Sequence, residues 1–232
     1  MSLENKIINE LKSHGADFVH FVNISHLSSD QNRGFSTAIL LGVALSPGYI
    51  QQITDHPDYV KHRIDNNIGF DDDEFLLTEQ KTDQLSDHIS QYLTDRGYNA
   101  YSQSERNQIA TTTFDSTYIE TLLPHKTIAV LAGLGWIGKN NLLVTTKYGS
   151  ALCLGTILTN APLNSGLYKP AVSKCGNCNV CNRICQTNAL CGKVWDKGDC
   201  REDMIDVYSC TTCIKCLVFC PWTQAYIKKN KI

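Results

Sequence analysis

The first part of the chain alternates apolar segments of helical spacing with segments of strand spacing. Apolar residues at positions 3, 7, 8 and 11 share one helix face, which predicts an amphipathic helix over 3–14 that ends at Gly15. Residues 16–24 follow as a predicted strand. The continuous apolar run 36–45 stops at a Ser-Pro-Gly turn, which predicts a buried strand.

A polar stretch over 55–73 separates these elements from the next helix. It leads into the acidic run 71–74, which is typical of a solvated loop or a helix start. Helical spacing returns over 75–92, and a short strand is predicted at 98–101. Helices that alternate with strands in this way indicate an α/β (α+β) fold class.

Residues 122–160 contain a glycine turn that formally matches a dinucleotide-binding motif. Gly133, Gly135 and Gly138 have the G-x-G-x-x-G spacing. That fold also needs a helix opening at the third glycine and an acidic residue about 20 positions later. β-prone residues follow the turn instead, and 151–165 contains no Asp or Glu, which argues against a nicotinamide site. The predicted elements are a helix over 124–132 and strands over 141–146 and 151–159.

The last third of the chain carries the strongest chemical pattern, a C-x2-C-x2-C-x3-C run that occurs twice. This spacing is typical of [4Fe–4S] clusters, whose iron suits soft thiolate ligands. In two-cluster proteins the fourth cysteine of each run binds the other cluster. The predicted ligands of one cluster are Cys175, Cys178, Cys181 and Cys220. Those of the other are Cys210, Cys213, Cys216 and Cys185.

Zinc and disulfides are the alternatives to iron–sulfur clusters. A zinc ribbon uses two cysteine pairs, so two quartets exceed what a tetrahedral Zn²⁺ site needs. Disulfides suit exported proteins, whereas residues 1–11 are polar and charged, unlike a signal peptide. Of the remaining cysteines, Cys153 lies in an apolar stretch and is predicted to be a small buried residue. Cys200 competes with Cys210 as a ligand, and Cys210 fits the tight spacing better.

The formal net charge of −2 is unevenly distributed. Residues 174–232 carry nine Lys and Arg against five Asp and Glu, which gives +4 there and leaves −6 for 1–173. A basic segment is typical of nucleic-acid binding, but two oxidised clusters with their thiolates would together carry about −4 and offset it. Charge compensation is the first interpretation, and a surface that faces nucleic acid is the second.

Three further motifs stand in a fixed order around the cysteine runs. They are A-G-L-G-W-x-G-K at 132–139, Y-G-S at 148–150 before an L-G-x-I-L-T strand at 154–159, and C-P-W at 220–222. Together with the cysteine runs, they resemble the epoxyqueuosine reductase family. The resemblance is clear over about 105–226 and holds only in pattern over the N-terminal third.

This resemblance implies a fold, a set of cofactors and a reaction. Family members join a nitroreductase-like α/β domain, which holds a corrinoid, to a ferredoxin-like domain with two [4Fe–4S] clusters. We expect these domains at 1–168 and 169–232. Electrons pass from the clusters to cobalt, which reduces the epoxide on a tRNA wobble base. The family continues into a helical region that grips tRNA, and we expect this chain to be a short form without it.

The resemblance also implies candidate catalytic residues. The family has a D-S/T-x-P-V-L-E segment whose Asp is a proposed proton donor. That Asp position falls at Ile119 here, whereas Asp115 with Ser116 stands four residues earlier. His125 and Lys126 are alternative proton sources, because a His of near-neutral pKa suits general acid catalysis. A surface helix start explains these two residues equally well.

Residues in and after the glycine turn are the predicted corrinoid contacts. Lys139 and Asn140 suit an anion or corrinoid site, and Gly149 with Ser150 would let a planar cofactor approach the backbone because glycine has no Cβ. A solvated loop and a simple β-turn explain the same residues. Trp136 is interpreted as a packing residue.

These features predict an iron–sulfur oxidoreductase that relays electrons from two [4Fe–4S] clusters to a corrinoid (cobalamin) site. The alternative is an electron-transfer protein, or a reductive activator of a partner corrinoid protein, with no turnover of its own. The expected partners are a ferredoxin- or flavodoxin-type donor and either tRNA or a corrinoid protein. No apolar run approaches the roughly 20 residues of a membrane span, so we predict a cytoplasmic protein without a membrane partner.

Overall fold

The computed structural model describes residues 1–111, 122–196 and 198–230. Within them the chain forms two compact units, each assembled from three segments. The first unit draws on 1–43, 77–132 and 153–169, and the second on 44–76, 133–152 and 170–232. Both units therefore use the first two-thirds of the sequence. The predicted division into an α/β cofactor domain at 1–168 and a two-[4Fe–4S] domain at 169–232 stays a prediction.

Helices and strands alternate along the described chain. The strands are β1 (Phe18–Asn23), β2 (Thr37–Ala44), β3 (Ala100–Ser102), β4 (Gly135–Ile137), β5 (Leu143–Thr145) and β6 (Leu152–Thr159). The helices are α1 (Leu3–Ser13), α2 (Ser29–Asn32), α3 (Pro47–Asp55), α4 (Tyr59–Asp65), α5 (Glu74–Thr94), α6 (Glu105–Thr111), α7 (His125–Leu131), α8 (Val180–Ile184), α9 (Lys215–Val218) and α10 (Pro221–Lys229). The predicted α/β (α+β) fold class is confirmed.

The first unit is built on a sheet that, among the described residues, has the strand order β1-β2-β6-β3. β1 pairs antiparallel with β2, and β3 pairs antiparallel with β6. Every residue of β2 except the last is buried, as an unbroken apolar run predicts. Gly42 of β2 lies opposite Phe18, where a Cβ would collide with the aromatic ring.

The core of the first unit joins one face of α1 and one face of α5 to this sheet. The helix residues recur at helical spacing, and each fully buried aliphatic side chain contributes about 1.5–3 kcal/mol. The core includes Ile7 and Leu11 from α1, Leu85, Ile89 and Leu93 from α5, Ile39 and Leu41 from β2, and Ile157 from β6.

The second unit contains an antiparallel hairpin of β4 and β5, in which Trp136 pairs with Val144. Gly135 lies so close to the β5 backbone that a Cβ would collide with the Val144 carbonyl oxygen. Sequence reasoning missed β4, because the glycines at 133, 135 and 138 in and around it favour a turn. In the same unit, the Tyr226 hydroxyl of α10 donates to the Leu45 carbonyl oxygen at 3.0 Å, which ties α10 to the chain just before α3.

The acidic run begins α5, which confirms the predicted helix start, but one of its members is buried rather than solvated. Asp73 is 4% exposed and accepts hydrogen bonds from the backbone N–H groups of Phe75 and Leu76 and from the hydroxyls of Tyr49 and Tyr59. The polar stretch before it also contains α4, which sequence reasoning missed because α4 has no buried face. No helix in the described part of the chain is both long and apolar enough to cross a membrane.

Candidate iron–sulfur site

Cysteines from both sequence runs surround one cavity in the second unit. Cys175, Cys178 and Cys181 of the first run and Cys220 of the second line a space of about 380 Å³. Cys181 lies in α8, and Cys220 immediately precedes α10. These are the four cysteines that the sequence assigns to one cluster. The chain thus brings together the predicted ligand set, whose role in metal binding stays a prediction.

The other four cysteines lie within electrostatic range of one another in the same unit. Burial first, and then the nearby thiols of Cys213, Cys210, Cys181 and Cys185, raise the pKa of Cys216 to about 12. Cys210 is exposed, whereas Cys185 and Cys213 are half-buried. Cys185 and Cys181, which belong to different predicted sets, are thus both near Cys216, and the assignment of the two ligand sets stays a prediction.

Crowding of thiols opposes their ionisation at this site. Burial raises the pKa of Cys181, a backbone hydrogen bond from Asn182 lowers it, and the neighbouring thiols of Cys175, Cys220 and Cys178 raise it again. A bound cation reverses this balance, because a coordinating thiol is deprotonated outright. The electrostatics of the site therefore favour thiols that share a positively charged centre.

The cavity is larger than a single metal ion needs. In the described residues no group of three His, Cys, Asp or Glu side chains is placed to hold one metal ion. Zn²⁺ holds its thiolates about 2.3 Å from one centre. In a cubane each thiolate binds a different iron, so the four sulfurs surround a larger body. A cavity of about 380 Å³, against about 30 Å³ for one water, suits the larger body.

The remaining cysteines have other surroundings. Cys153 is buried in β6, which confirms its prediction as a small core residue. Cys191 and Cys200 are exposed, and the Cys200 thiol donates to the Asp203 carboxylate at 3.3 Å. All eleven cysteines lie in the described part of the chain, and none of them forms a disulfide.

Trp136 contacts one of the cysteines that line the cavity. It is 3% exposed, and its indole Nε1–H donates to Cys175 Sγ at 3.4 Å. The ring meets Trp222 edge-on, with 5.3 Å between ring centroids. Trp136, Val144 and Cys220 form a buried apolar cluster against which Cys175 and Trp222 pack. Sequence reasoning identified the packing role but missed the hydrogen bond, since no sequence pattern shows where an indole N–H points.

Lys139, a predicted corrinoid contact, binds the first cysteine run. Its ammonium donates to the carbonyl oxygen of Gly176 at 2.8 Å and to that of Cys178 at 3.1 Å. The side chain therefore fixes the loop between the first two cysteines of this run.

Asn140, Gly149 and Ser150 bind the second cysteine run and the helix that follows it. The Asn140 amide donates to Ser150 Oγ at 3.1 Å and to the Cys216 carbonyl oxygen at 3.3 Å. The Ser150 N–H donates to Thr223 Oγ1 at 2.9 Å. Gly149 has φ +60°, and a Cβ there would collide with the Thr223 backbone. These contacts do not fit the open cofactor surface expected here, and a corrinoid role for these residues stays a prediction.

The candidate proton donors lie in the first unit or outside the described residues. His125 begins α7, and its Nδ1 lies 2.8 Å from Thr156 Oγ1. Burial lowers the pKa of His125 to about 4, so the ring is neutral at pH 7, which weighs against a general acid role. Lys126 is half-buried beside it. Asp115 lies outside the described residues.

Comparison with curated proteins identifies relatives that align with about half of the chain. No family model matches the chain. It is 34% identical over 116 residues to epoxyqueuosine reductase from Listeria monocytogenes, covering 43% of this chain and 29% of that protein. It is 31% identical over 132 residues to the Synechocystis enzyme, covering 50% of this chain and 45% of that protein. The chain thus spans less than half the length of these relatives.

Solved structures share the fold at low sequence identity. An epoxyqueuosine reductase from Bacillus subtilis matches with a TM-score of 0.56 at 15% identity, over 97% of this chain and 66% of that chain. An epoxyqueuosine reductase with an epoxyqueuosine-modified tRNA stem loop matches with a TM-score of 0.53 at 15% identity. This match covers 97% of this chain and 66% of that chain. A reductive dehalogenase from a study of B12-dependent dehalogenation matches with a TM-score of 0.54 at 15% identity. This match covers 79% of this chain and 25% of that chain.

The sequence relatives and the fold neighbours agree with each other. Both comparisons name epoxyqueuosine reductase, the family that the sequence motifs resemble. The resemblance is confirmed: over about half of its length the chain is similar in sequence to the epoxyqueuosine reductases, and it shares their fold.

Proposed function

We propose that this protein is an iron–sulfur oxidoreductase, resembling epoxyqueuosine reductase, that relays electrons through two [4Fe–4S] clusters to a corrinoid site. The main support is the convergence of Cys175, Cys178 and Cys181 with Cys220 around one cavity. This crossing of two sequence runs is what a pair of cubanes requires and what a single zinc ribbon does not.

The chain's own residues would prepare this site for one-electron transfer, which is the chemistry that bound clusters supply. Val144 lines one side of the cavity and packs in a buried apolar cluster with Trp136, and this cluster keeps water from that side. Lys139 and Lys174 also line it, and their positive charge would offset the negative charge of a cluster with four thiolates. A ferredoxin- or flavodoxin-type protein is the proposed donor.

The corrinoid acceptor and the tRNA substrate are proposed by analogy with relatives. One fold neighbour comes from a study of B12-dependent dehalogenation, and another is an epoxyqueuosine reductase with a modified tRNA stem loop. By this analogy the substrate is the epoxide on a tRNA wobble base. The residues predicted to contact a corrinoid bind the cysteine segments instead, so the acceptor rests on the analogy alone.

A second function fits the same site. The protein would pass electrons to a partner, or reactivate a partner corrinoid protein, without turnover of its own. Two observations favour it: the predicted corrinoid contacts are engaged within the chain, and His125 is neutral at pH 7.

Anaerobic purification followed by cobalamin titration of the same sample tests both functions. Two cubanes give about eight irons and eight sulfides per chain. Zinc in their place, or colourless iron-free protein, would refute the cluster proposal. A spectral shift of added cob(II)alamin supports the corrinoid-dependent reductase. Intact clusters without a shift would support the electron-transfer function instead. Cys153→Ala is the matched control, because Cys153 lies in β6 of the first unit and belongs to neither predicted ligand set.

A further inference from the structure

Trp136 places a side-chain hydrogen-bond donor on a sulfur of the predicted cluster. The indole Nε1–H points at Cys175 Sγ over 3.4 Å, and Trp136 is 3% exposed, so water does not compete for the indole N–H. Burial also strengthens a hydrogen bond electrostatically, because the surroundings screen it less than water does. This contact joins β4 to the first cysteine of the first run.

Hydrogen bonds to cluster sulfurs are one of the means by which proteins set cluster reduction potentials. When a donor protein adds one electron to a cubane, the iron is reduced and the negative charge on the thiolates increases. An N–H group aimed at one of these sulfurs stabilises the reduced state more than the oxidised state, so the potential rises.

We propose that Trp136 raises the reduction potential of the cluster held by Cys175, Cys178, Cys181 and Cys220, and so favours arrival of the electron at that cluster. The inference rests on the proposed function, since it needs the two clusters. It assigns to Trp136 a positioning and tuning role through Cys175, in addition to packing. Backbone N–H groups also reach the sulfurs of Cys181 and Cys220, but a change of the Trp136 side chain leaves those donors in place.

The surroundings of Trp136 allow the hydrogen bond to be removed while an aromatic ring keeps its packing. β4 pairs with β5, and Trp136 packs on Val144 and edge-on against Trp222. Trp136→Phe keeps an aromatic ring in this packing and deletes the N–H donor. Trp222→Phe is the matched control, because Trp222 packs against Trp136 and lines the cavity, whereas its side chain, in the described residues, donates no hydrogen bond to a cysteine.

The test is an EPR-monitored redox titration of anaerobically purified wild type, W136F and W222F. We expect the potential of one cluster in W136F to fall by about 59 mV, a tenfold change in its one-electron equilibrium. The other cluster and the iron content should not change. A W136F potential equal to that of wild type, or an equal fall in W222F, would overturn the inference. Wild-type protein without clusters would instead overturn the proposed function and the inference together.

A second measurement covers the case in which W136F does not assemble its clusters. Tryptophan labelled with ¹⁵N in the indole ring is incorporated into a Trp195→Phe/Trp222→Phe protein, which leaves Trp136 as its one tryptophan, and nitrogen hyperfine coupling to the reduced cluster is measured. Coupling supports a donor in contact with a cluster sulfur. Its absence contradicts the Trp136 contact while leaving the clusters themselves established.

Discussion

The Lys215 ammonium lies 2.6 Å from the Asp58 carboxylate and is buried, although its partner is exposed. The side chain of Lys215 is 6% exposed and that of Asp58 is 67% exposed. Lys215 stands between Cys213 and Cys216, so the ion pair holds the second cysteine run to the residue that precedes α4. A buried charge is costly unless it is paired, and the pair therefore stabilises the loop that carries these cysteines.

We expect Asp58→Asn to lower the free energy of unfolding, because it leaves a buried ammonium without its charge partner. The hydrogen bond from Lys215 and its charge lower the pKa of Asp58 below 3.8. Since the folded pKa is below the unfolded one, the pair's stabilisation is full above about pH 4 and is lost as the pH falls through the folded value. The difference between wild type and variant should therefore shrink in acid.

Urea unfolding of the anaerobic proteins at several pH values measures this difference. Asp65→Asn is the control, because Asp65 pairs with Lys61 and both side chains are more than half exposed. Exposed pairs contribute little, so Asp65→Asn should have a small effect. A loss in Asp58→Asn that is no larger than that of the control, or that persists unchanged in acid, would contradict the role of the pair.

Single cysteine variants test the crossed ligand sets. Cys220→Ala and Cys175→Ala lie far apart in sequence but line the same cavity, so we expect them to affect the same cluster. Cys185→Ala should affect the other cluster. Iron content should fall from about eight to about four, and the EPR spectra of Cys220→Ala and Cys175→Ala should match. If Cys220→Ala instead matches a Cys210→Ala variant, each run holds its own cluster.

The sequence predicted elements whose apolar spacing is regular. The observed bounds of α1, β1, β2, α5 and α7 lie within two residues of the predicted ones, because a buried face requires one periodicity over the whole element. α4 and β4 were missed for opposite reasons. α4 has no buried residue, so its sequence lacks the apolar spacing of a helix face. β4 is three residues long and contains glycine.

The site was predicted as far as its cysteine spacing allowed. That spacing grouped Cys220 with the first run, and the structure brings these cysteines to one cavity. The side chains that support them were assigned to another cofactor, because Lys139 and Asn140 bind carbonyl oxygens of cysteines about 40 and 76 positions away. Such contacts depend on packing between distant segments, which leaves no local pattern in the sequence.

Gly149→Ala should destabilise the second unit. A non-glycine residue at φ +60° costs about 1–2 kcal/mol, and the added Cβ would collide with the Thr223 backbone, for which overpacking costs about 1–3 kcal/mol more. Thr223 lies in α10, which begins directly after Cys220, so a shift of Thr223 should also lower the cluster content. Gly97→Ala is the control, since Gly97 has φ +82° but open space around it. This variant should lose only the stability that the positive φ of a non-glycine residue costs. Equal losses of stability in both variants would contradict the close approach at Gly149.

His125 should make the first unit less stable in mild acid. Its folded pKa is about 4 because of burial, against an ordinary value of 6.5. Between these values the unfolded chain binds a proton that the folded chain does not, so the stability is full above pH 6.5 and is lost as the pH falls toward 4. His125→Gln removes this titration and should flatten the pH dependence of stability over that window. The exposed residue His26 provides the control His26→Gln, which removes one histidine without touching α7. NMR titration of the His125 ring measures its pKa independently. A ring protonated at pH 7 would refute the prediction and restore His125 as a candidate general acid.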